Sequence, residues 1–241
     1  VNTSGWEATP LIGLCEVENE RCLHDLCVRL KRFHYKYVHY DSPDERGVDV
    51  ALLYDSTRVS ILNSRALSLS LDGDATRDIL YVSALYEKRD TVHVMMCHLP
   101  SQLGGASNTD WKRQRAKSLI QSQIDSIFLF QPSANIVVMG DMNTSAQDDL
   151  TGMVNLMIPI QKMGQGTHKY QGIWTCLDQF YISQSIATKA TTTIFSPWWL
   201  LEEDTKYLDY KPHRTYIGFR YNDGYSDHLP IVLHLRLDNK E

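Results

Sequence analysis

An α/β fold of two packed, mostly antiparallel β-sheets with helices on their outer faces is what this sequence predicts, on three observations. Apolar runs rich in β-branched and aromatic residues recur along the whole chain, only two segments carry helical spacing, and no composition break or Gly/Ser-rich linker divides the 241 residues. Many strands with few long helices do not give the regular alternation of a doubly wound sheet. A chain of this length suits one domain, and residues 1–241 are expected to form it.

Taken in order, the runs Leu11–Cys15, Tyr35–Tyr40, Val48–Tyr54, Val59–Leu62, Ile79–Tyr86, Thr91–Cys97, Ile136–Met139, Phe180–Ile182, Thr191–Phe195 and Ile231–Leu235 read as strands. Glu18–Arg32 and Asp110–Phe130 read as helices. In the second, Ala116, Leu119, Ile120, Ile124, Ile127 and Phe128 return at three- and four-residue steps on one face, which should pack on a sheet. Pro197–Gly224, with Trp198, Trp199, Arg214 and Arg220, lacks periodicity and reads as a long surface loop, a candidate wall for a substrate cleft. Of the cluster Trp198-Trp199-Leu200-Leu201, burial is the commoner fate and contact with a membrane surface the rarer one.

Composition narrows the function classes. A net charge of −5 gives no footprint for tight, indiscriminate binding of duplex nucleic acid, so any such contact needs a local patch. Lys112, Arg113, Arg115 and Lys117 offer one, although a solvated helix start is the simpler reading. The five cysteines are odd in number and contain no Cys-x-x-Cys pair, which supports neither a zinc ribbon nor a disulfide framework. No apolar run approaches the roughly 20 residues of a membrane span, and no signal peptide is visible. A soluble monomer without an obligate protein partner is expected. The compartment, cytoplasmic or exported, is not readable.

Chemistry concentrates where polar groups follow apolar runs. In Tyr225-Ser226-Asp227-His228-Leu229-Pro230 an acid and an imidazole sit side by side, as phosphate binding and proton management near neutral pH require. Glu16 ends Leu14-Cys15-Glu16, where a helix-start carboxylate is the plain alternative. Asp141 and Asn143 in Gly140-Asp141-Met142-Asn143 are good turn residues, and also a carboxylate able to take a proton from water beside an amide able to orient it. His98 closes a strand before Leu99-Pro100. Asp178 is embedded among apolar neighbours, a costly position unless a histidine or another cation pairs with it.

In order along the chain, Leu-x-Glu, His-Leu-Pro, Gly-Asp-x-Asn, an Asp before aromatics and Ser-Asp-His-Leu-Pro resemble the endonuclease/exonuclease/phosphatase superfamily from about Leu11 to Leu237. The resemblance implies a four-layered α/β sandwich of the deoxyribonuclease type and metal-dependent phosphohydrolase activity. It implies Glu16 as the ligand of a divalent ion, usually Mg²⁺ with Mn²⁺ as a substitute, and Asp227 near enough to assist. Asp141 and Asn143 would activate and position the attacking water, His228 held by Asp178 would act on the phosphate, and His98 would be a second active-site histidine. Arg77 matches an arginine that touches substrate phosphate, with a surface charge as its plain alternative. Asp49 or Glu45 would orient His98.

The implied substrate is a phosphodiester, either nucleic acid or smaller, cleaved by in-line attack of water. A phosphomonoesterase acting on inositol phosphate or a lipid headgroup, and a sphingomyelinase-like lipid phosphodiesterase, are the enzyme alternatives. An inactive scaffold of the same fold is the third, against which the retained Asp141, Asn143, Asp178 and His228 argue. One departure stands out. Family members open with a strand bearing an Asn that helps hold the metal, and Asn2 follows no apolar strand, so the expectation is that this strand lies ahead of Val1.

Overall fold

Alternation of apolar and polar residues, bounded by turn-forming pairs, divides most of the chain into short strands. The computed structural model describes residues 8–44, 46–69, 71, 76–102 and 106–236. Asn2 and Glu45 lie outside these. In chain order come β1 (Leu11–Val17), α1 (Glu20–Arg29), β2 (Tyr35–His39), β3 (Asp49–Asp55), β4 (Val59–Leu67), β5 (Ile79–Tyr86), β6 (Asp90–His98) and α2 (Ala106–Phe130). Then follow β7 (Asn135–Asp141), β8 (Met153–Asn155), α3 (Ile158–Lys162), β9 (His168–Tyr170), β10 (Ile173–Thr175), β11 (Asp178–Ser183), α4 (Gln184–Ala187) and β12 (Ala190–Ile194). Four short strands, β13 (Leu201–Asp204), β14 (Asp209–Pro212), β15 (Tyr216–Ile217) and β16 (Arg220–Tyr221), precede β17 (Ile231–Leu235).

A six-stranded sheet in the order β4-β5-β6-β7-β11-β8 forms the centre. Its pairs are antiparallel except β6 with β7, which run parallel because α2 crosses over between them. The face of α2 read from its spacing packs on one side, with Ala116, Ile120 and Ile124 fully buried against Met95, Ile136 and Val138. Truncating either isoleucine to alanine should cost about 2–5 kcal/mol. The other side of the sheet packs through Val82, Val94, Val137 and Phe180 against β3, β12 and β17. Beyond β1-β3-β2 lies α1, seated by Leu23 on Ala51 and Leu53 and capped by Asn19, whose side chain accepts the Cys22 N–H at 3.2 Å. The sequence of layers is helix, sheet, sheet, helix.

Three local expectations change. Pro197–Gly224 is not an irregular loop, since β13-β14 and β15-β16 are two antiparallel hairpins within it. They escape detection because strands of two to four residues are too short to show a period. Trp198 is 84% exposed, against the expectation of burial for its cluster. Arg113 and Lys117 are buried rather than parts of a basic patch: Arg113 Nη1 donates to Pro100 O and Ser101 O at 3.2 and 3.3 Å, and Lys117 pairs with Asp149. Their charges brace the chain that follows His98.

Opposite the central sheet, the second layer is split into β1-β3-β2 and β12-β17. Among the described residues β1 pairs only with β3, and β17 only with β12. Between β1 and β17 lies a cavity of about 1500 Å³, walled by Leu11–Cys15 and Ile231–Leu235, with Val94, Met96 and Val137 among the residues lining it.

Candidate active site

Register, more than chain proximity, assembles the site. In the parallel ladder His98 stands opposite Asp141, and in the antiparallel ladder Asp141 stands opposite Asp178. Residues paired across adjacent strands share a face, so β6, β7 and β11 place an imidazole and two carboxyls in one row, with strands about 4.8 Å apart. His228 joins from the turn before β17, where its Nδ1 donates to Asp178 Oδ2 at 2.7 Å.

Gly140 makes this register possible. Its φ is +129°, and a Cβ there would lie 1.9 Å from the Cys97 carbonyl oxygen. Only glycine tolerates both that backbone and that approach. The next residue, Asp141, is held at both oxygens by Asn143: the backbone N–H donates to Oδ1 at 2.8 Å, and the side-chain amide donates to Oδ2 at 3.1 Å and to Leu99 O at 2.9 Å. Asn143 adopts φ +50°, which its short polar side chain allows. The turn chemistry read from Gly140-Asp141-Met142-Asn143 is therefore present, and it fixes the carboxyl.

Thr167, fully buried, joins three segments. Its Oγ1 accepts the N–H groups of Leu177 and Asp178, both at 3.2 Å, and its carbonyl accepts the Leu229 N–H at 2.7 Å. The adjacent bridge of His168 to His228 sets those rings 4.9 Å apart, and Arg214 Nη2 donates to His168 Nε2 at 3.3 Å. Sequence reasoning missed Thr167 and His168, because neither lies in an apolar run or a recognisable motif, and it left Arg214 in an aperiodic stretch.

Environment separates the protonation states. Burial first, then the nearby Asp178 charge, pushes Asp141 up to about 7. Burial also opposes ionisation of Asp178, but the charge and hydrogen bond of His228 prevail and hold its carboxyl below the usual range. For His228 burial works against the cation, and Asp178 outweighs it, raising the ring to about 9. His98 is lowered to about 4 by burial and then by Arg46 and His228, so it is neutral at pH 7. Its Nε2 lies 3.5 Å from Asp141 Oδ2, and its Nδ1 is buried without a hydrogen-bond partner. His168 is also lowered to about 4, by burial and then by His228.

Two expected residues stand differently. Arg77 has a side chain only 1% exposed, and its donors go to His98 O (3.0 Å), Leu99 O (3.3 Å) and Asp44 Oδ2 (2.9 Å). It braces the strand end that carries His98 and presents no open guanidinium to a phosphate, because three backbone and carboxylate acceptors surround it. Asp49 does not orient His98 either: its Oδ1 accepts the Ser42 N–H at 3.0 Å, and its Oδ2 faces His39.

Glu16 sits at a β-bulge between Leu14 and Val17 with φ +58°, an irregularity that turns its exposed side chain out of the ladder. It is near enough to Asp141 for its charge to disfavour that ionisation. Glu16, Asp141 and Asp178 thus crowd negative charge at one rim, and hard carboxylate oxygens there suit a divalent cation. Asp227, beside His228 in the chain, has its carboxylate 3.9 Å from Arg214 Nη2 and forms with His168 and His228 a group able to hold a cation.

A helix-sheet-sheet-helix sandwich with a carboxylate-bound imidazole at the rim of its central sheet defines a phosphoester hydrolase class of protein. A profile described as the endonuclease/exonuclease/phosphatase family matches residues 2–237, and the chain belongs to that family. No curated protein matches. Among solved structures, D. rerio TDP2 complexed with single-strand DNA product has a TM-score of 0.60 at 15% identity, over 92% of this chain and 84% of that one. The Bacteroides thetaiotaomicron mannosyl-6-phosphatase has a TM-score of 0.66 at 13% identity, over 95% and 85%. The human Nocturnin catalytic domain with bound sulfate has 0.61 at 16%, over 94% and 81%. These likenesses share the fold.

Proposed function

We propose that the chain is a divalent-metal-dependent phosphodiesterase that hydrolyses its substrate by in-line attack of water. The observation that carries the reading is the 2.7 Å contact of His228 with Asp178, set beside Asp141 in register. Asp141, held near neutrality and pinned at both oxygens, fits the acceptor of a proton from water. Asn143 positions that acceptor, since its amide hydrogens are engaged with Asp141 and Leu99. His228, cationic and fixed through Nδ1, is left with Nε2 to neutralise a non-bridging phosphate oxygen. His98, neutral, presents a polar ring 3.5 Å from Asp141 Oδ2 at the same rim.

Mg²⁺, with Mn²⁺ as its substitute, would be held by Glu16 with help from Asp227, and would neutralise charge on the phosphate as attack proceeds. The second hairpin favours a substrate with stacking groups. Tyr216, Phe219, Tyr221 and Tyr225 are all more than half exposed and lie along the segment that delivers Arg214 to His168. Aromatic faces beside a cation suit single-stranded nucleic acid, where stacking on bases is worth about 1–3 kcal/mol each. The TDP2 structure with a single-strand DNA product points the same way.

The test is turnover of bis-nitrophenyl phosphate, nitrophenyl phosphate, inositol phosphates, sphingomyelin and a single-stranded oligonucleotide, after chelation and with Mg²⁺ restored. Diester cleavage that returns with Mg²⁺ and falls about 10²–10⁴-fold in His228→Ala is the expected result. Phosphate release from monoesters alone overturns the diesterase, and silence across the panel overturns the enzyme.

Among the described residues, β1 and β17 leave two open edges across a cavity of about 1500 Å³, and one further strand there would pair both and cover its apolar floor.

A further inference from the structure

On the outer sheet, β2 ends in His39, β3 begins with Asp49, and Asp41 lies in the connection between them. One donor atom from each gathers within 4.8 Å of the others. The His39 side chain is 5% exposed, and its Nε2, 3.4 Å from Asp49 Oδ2, has no hydrogen-bond partner. Its Nδ1 lies 3.9 Å from Asp41 Oδ1. Asp49 is itself fixed, because its Oδ1 accepts the Ser42 N–H at 3.0 Å as well as the Ser42 hydroxyl, which leaves Oδ2 facing the ring. Beside Asp49 a cavity of about 10 Å³, lined by Tyr40, Ser42, Asp49 and Asp78 among others, is of the size of one water.

A buried imidazole nitrogen without a donor or acceptor, aimed at a carboxylate oxygen with a second carboxylate in reach, is a mixed N/O donor set. Such sets suit borderline divalent ions, Zn²⁺, Co²⁺ or Mn²⁺, better than Mg²⁺, which prefers oxygen and retains its waters. We propose that His39, Asp41 and Asp49 form a second metal site, apart from the phosphate-handling rim, that binds a divalent transition-metal ion and closes the connection between β2 and β3. The consequence reaches the rim through contacts already present. That connection carries Asp44, which accepts from Arg77 at 2.9 Å, and Arg77 Nε donates to His98 O at 3.0 Å. The ion would stiffen the brace behind His98 without touching substrate.

The experiment uses Co²⁺, whose visible absorption reports a nitrogen and oxygen ligand field, added to the chelator-stripped chain. Glu16→Gln removes the carboxylate assigned to Mg²⁺, so binding at the new site is read in that background. Asp41→Asn is the principal variant, because the Asp41 side chain is 93% exposed and its loss should leave the fold intact. His39→Gln is the second. One Co²⁺ per chain in Glu16→Gln is expected, with affinity falling by more than about tenfold on adding Asp41→Asn, a loss that even outer-shell changes reach. Melting temperature should rise with Co²⁺ in Glu16→Gln and not in the double variant. No Co²⁺ uptake would mean that the three residues are an ion pair only. Uptake unchanged by Asp41→Asn and His39→Gln would place the ion at His168, Asp227 and His228. Either result overturns the proposal.

Discussion

Asp141 and Asp178 face each other across the β7–β11 ladder, and their carboxyls are displaced in opposite directions, one up to about 7 and the other below its usual range. Two like groups in one site behave this way when one neighbour, here His228, sides with one of them.

The pH dependence of kcat/KM should therefore be a bell. Asp141 must lose its proton to accept one from water, which gives an ascending limb near pH 7, and His228 must keep its proton, which gives a descending limb near pH 9. A profile flat from pH 6 to 10, measured on a diester with saturating Mg²⁺, would contradict these roles.

Stability should follow the same pair. The folded pKa of His228 lies above its unfolded value, so its contribution is complete below about pH 6.5 and is lost as pH rises through about 9. Asp178 is shifted down, so its share is present above about pH 4 and is lost as pH falls through its depressed value. Asp178→Asn is expected to cost about 2–3 kcal/mol at pH 7, with the deficit shrinking above pH 9. Urea denaturation at a series of pH values measures it.

Asn143→Gly keeps a left-handed backbone and deletes the amide that holds Asp141 Oδ2. Turnover should fall about 10–100-fold, the scale of a misplaced reacting group, with KM and melting temperature nearly unchanged. A rise in KM alone would show that Asn143 binds substrate instead.

Arg77→Ala should act on the fold. Its loss leaves the Asp44 carboxylate, 8% exposed at the side chain, with only the half-exposed Arg46 at 3.5 Å as a cation and removes donors from two backbone carbonyls. A cost of about 3–5 kcal/mol is expected. Were Arg77 a substrate contact, KM would rise while thermal unfolding stayed put.

Legibility differed by length scale. The long strands and α2 were readable because burial on a fixed face imposes a period, as Ala116, Ile120 and Ile124 show. β13 to β16 were not, since two to four residues carry no period and their pairing is decided by contacts with each other. Within the site, Asp141, Asp178 and His228 stand out because acids or imidazoles beside apolar runs are anomalous, and Asn143 because it completes the turn after Gly140-Asp141. Thr167, His168 and Arg214 do not, because what makes them matter is register and hydrogen bonding across distant segments. Arg77 was misjudged for the same reason. A charge looks alike in sequence whether solvent or three acceptors surround it.

Gly140 has no side chain to offer a phosphate, yet a screen for lost activity should rank it with the acids and imidazoles. The methyl group of Gly140→Ala would collide with the Cys97 carbonyl, and relief requires β6 and β7 to part. That separation would draw His98 away from Asp141 while each kept its own chemistry intact. Alanine scanning of this rim would thus mark as indispensable a position that never meets the reactant.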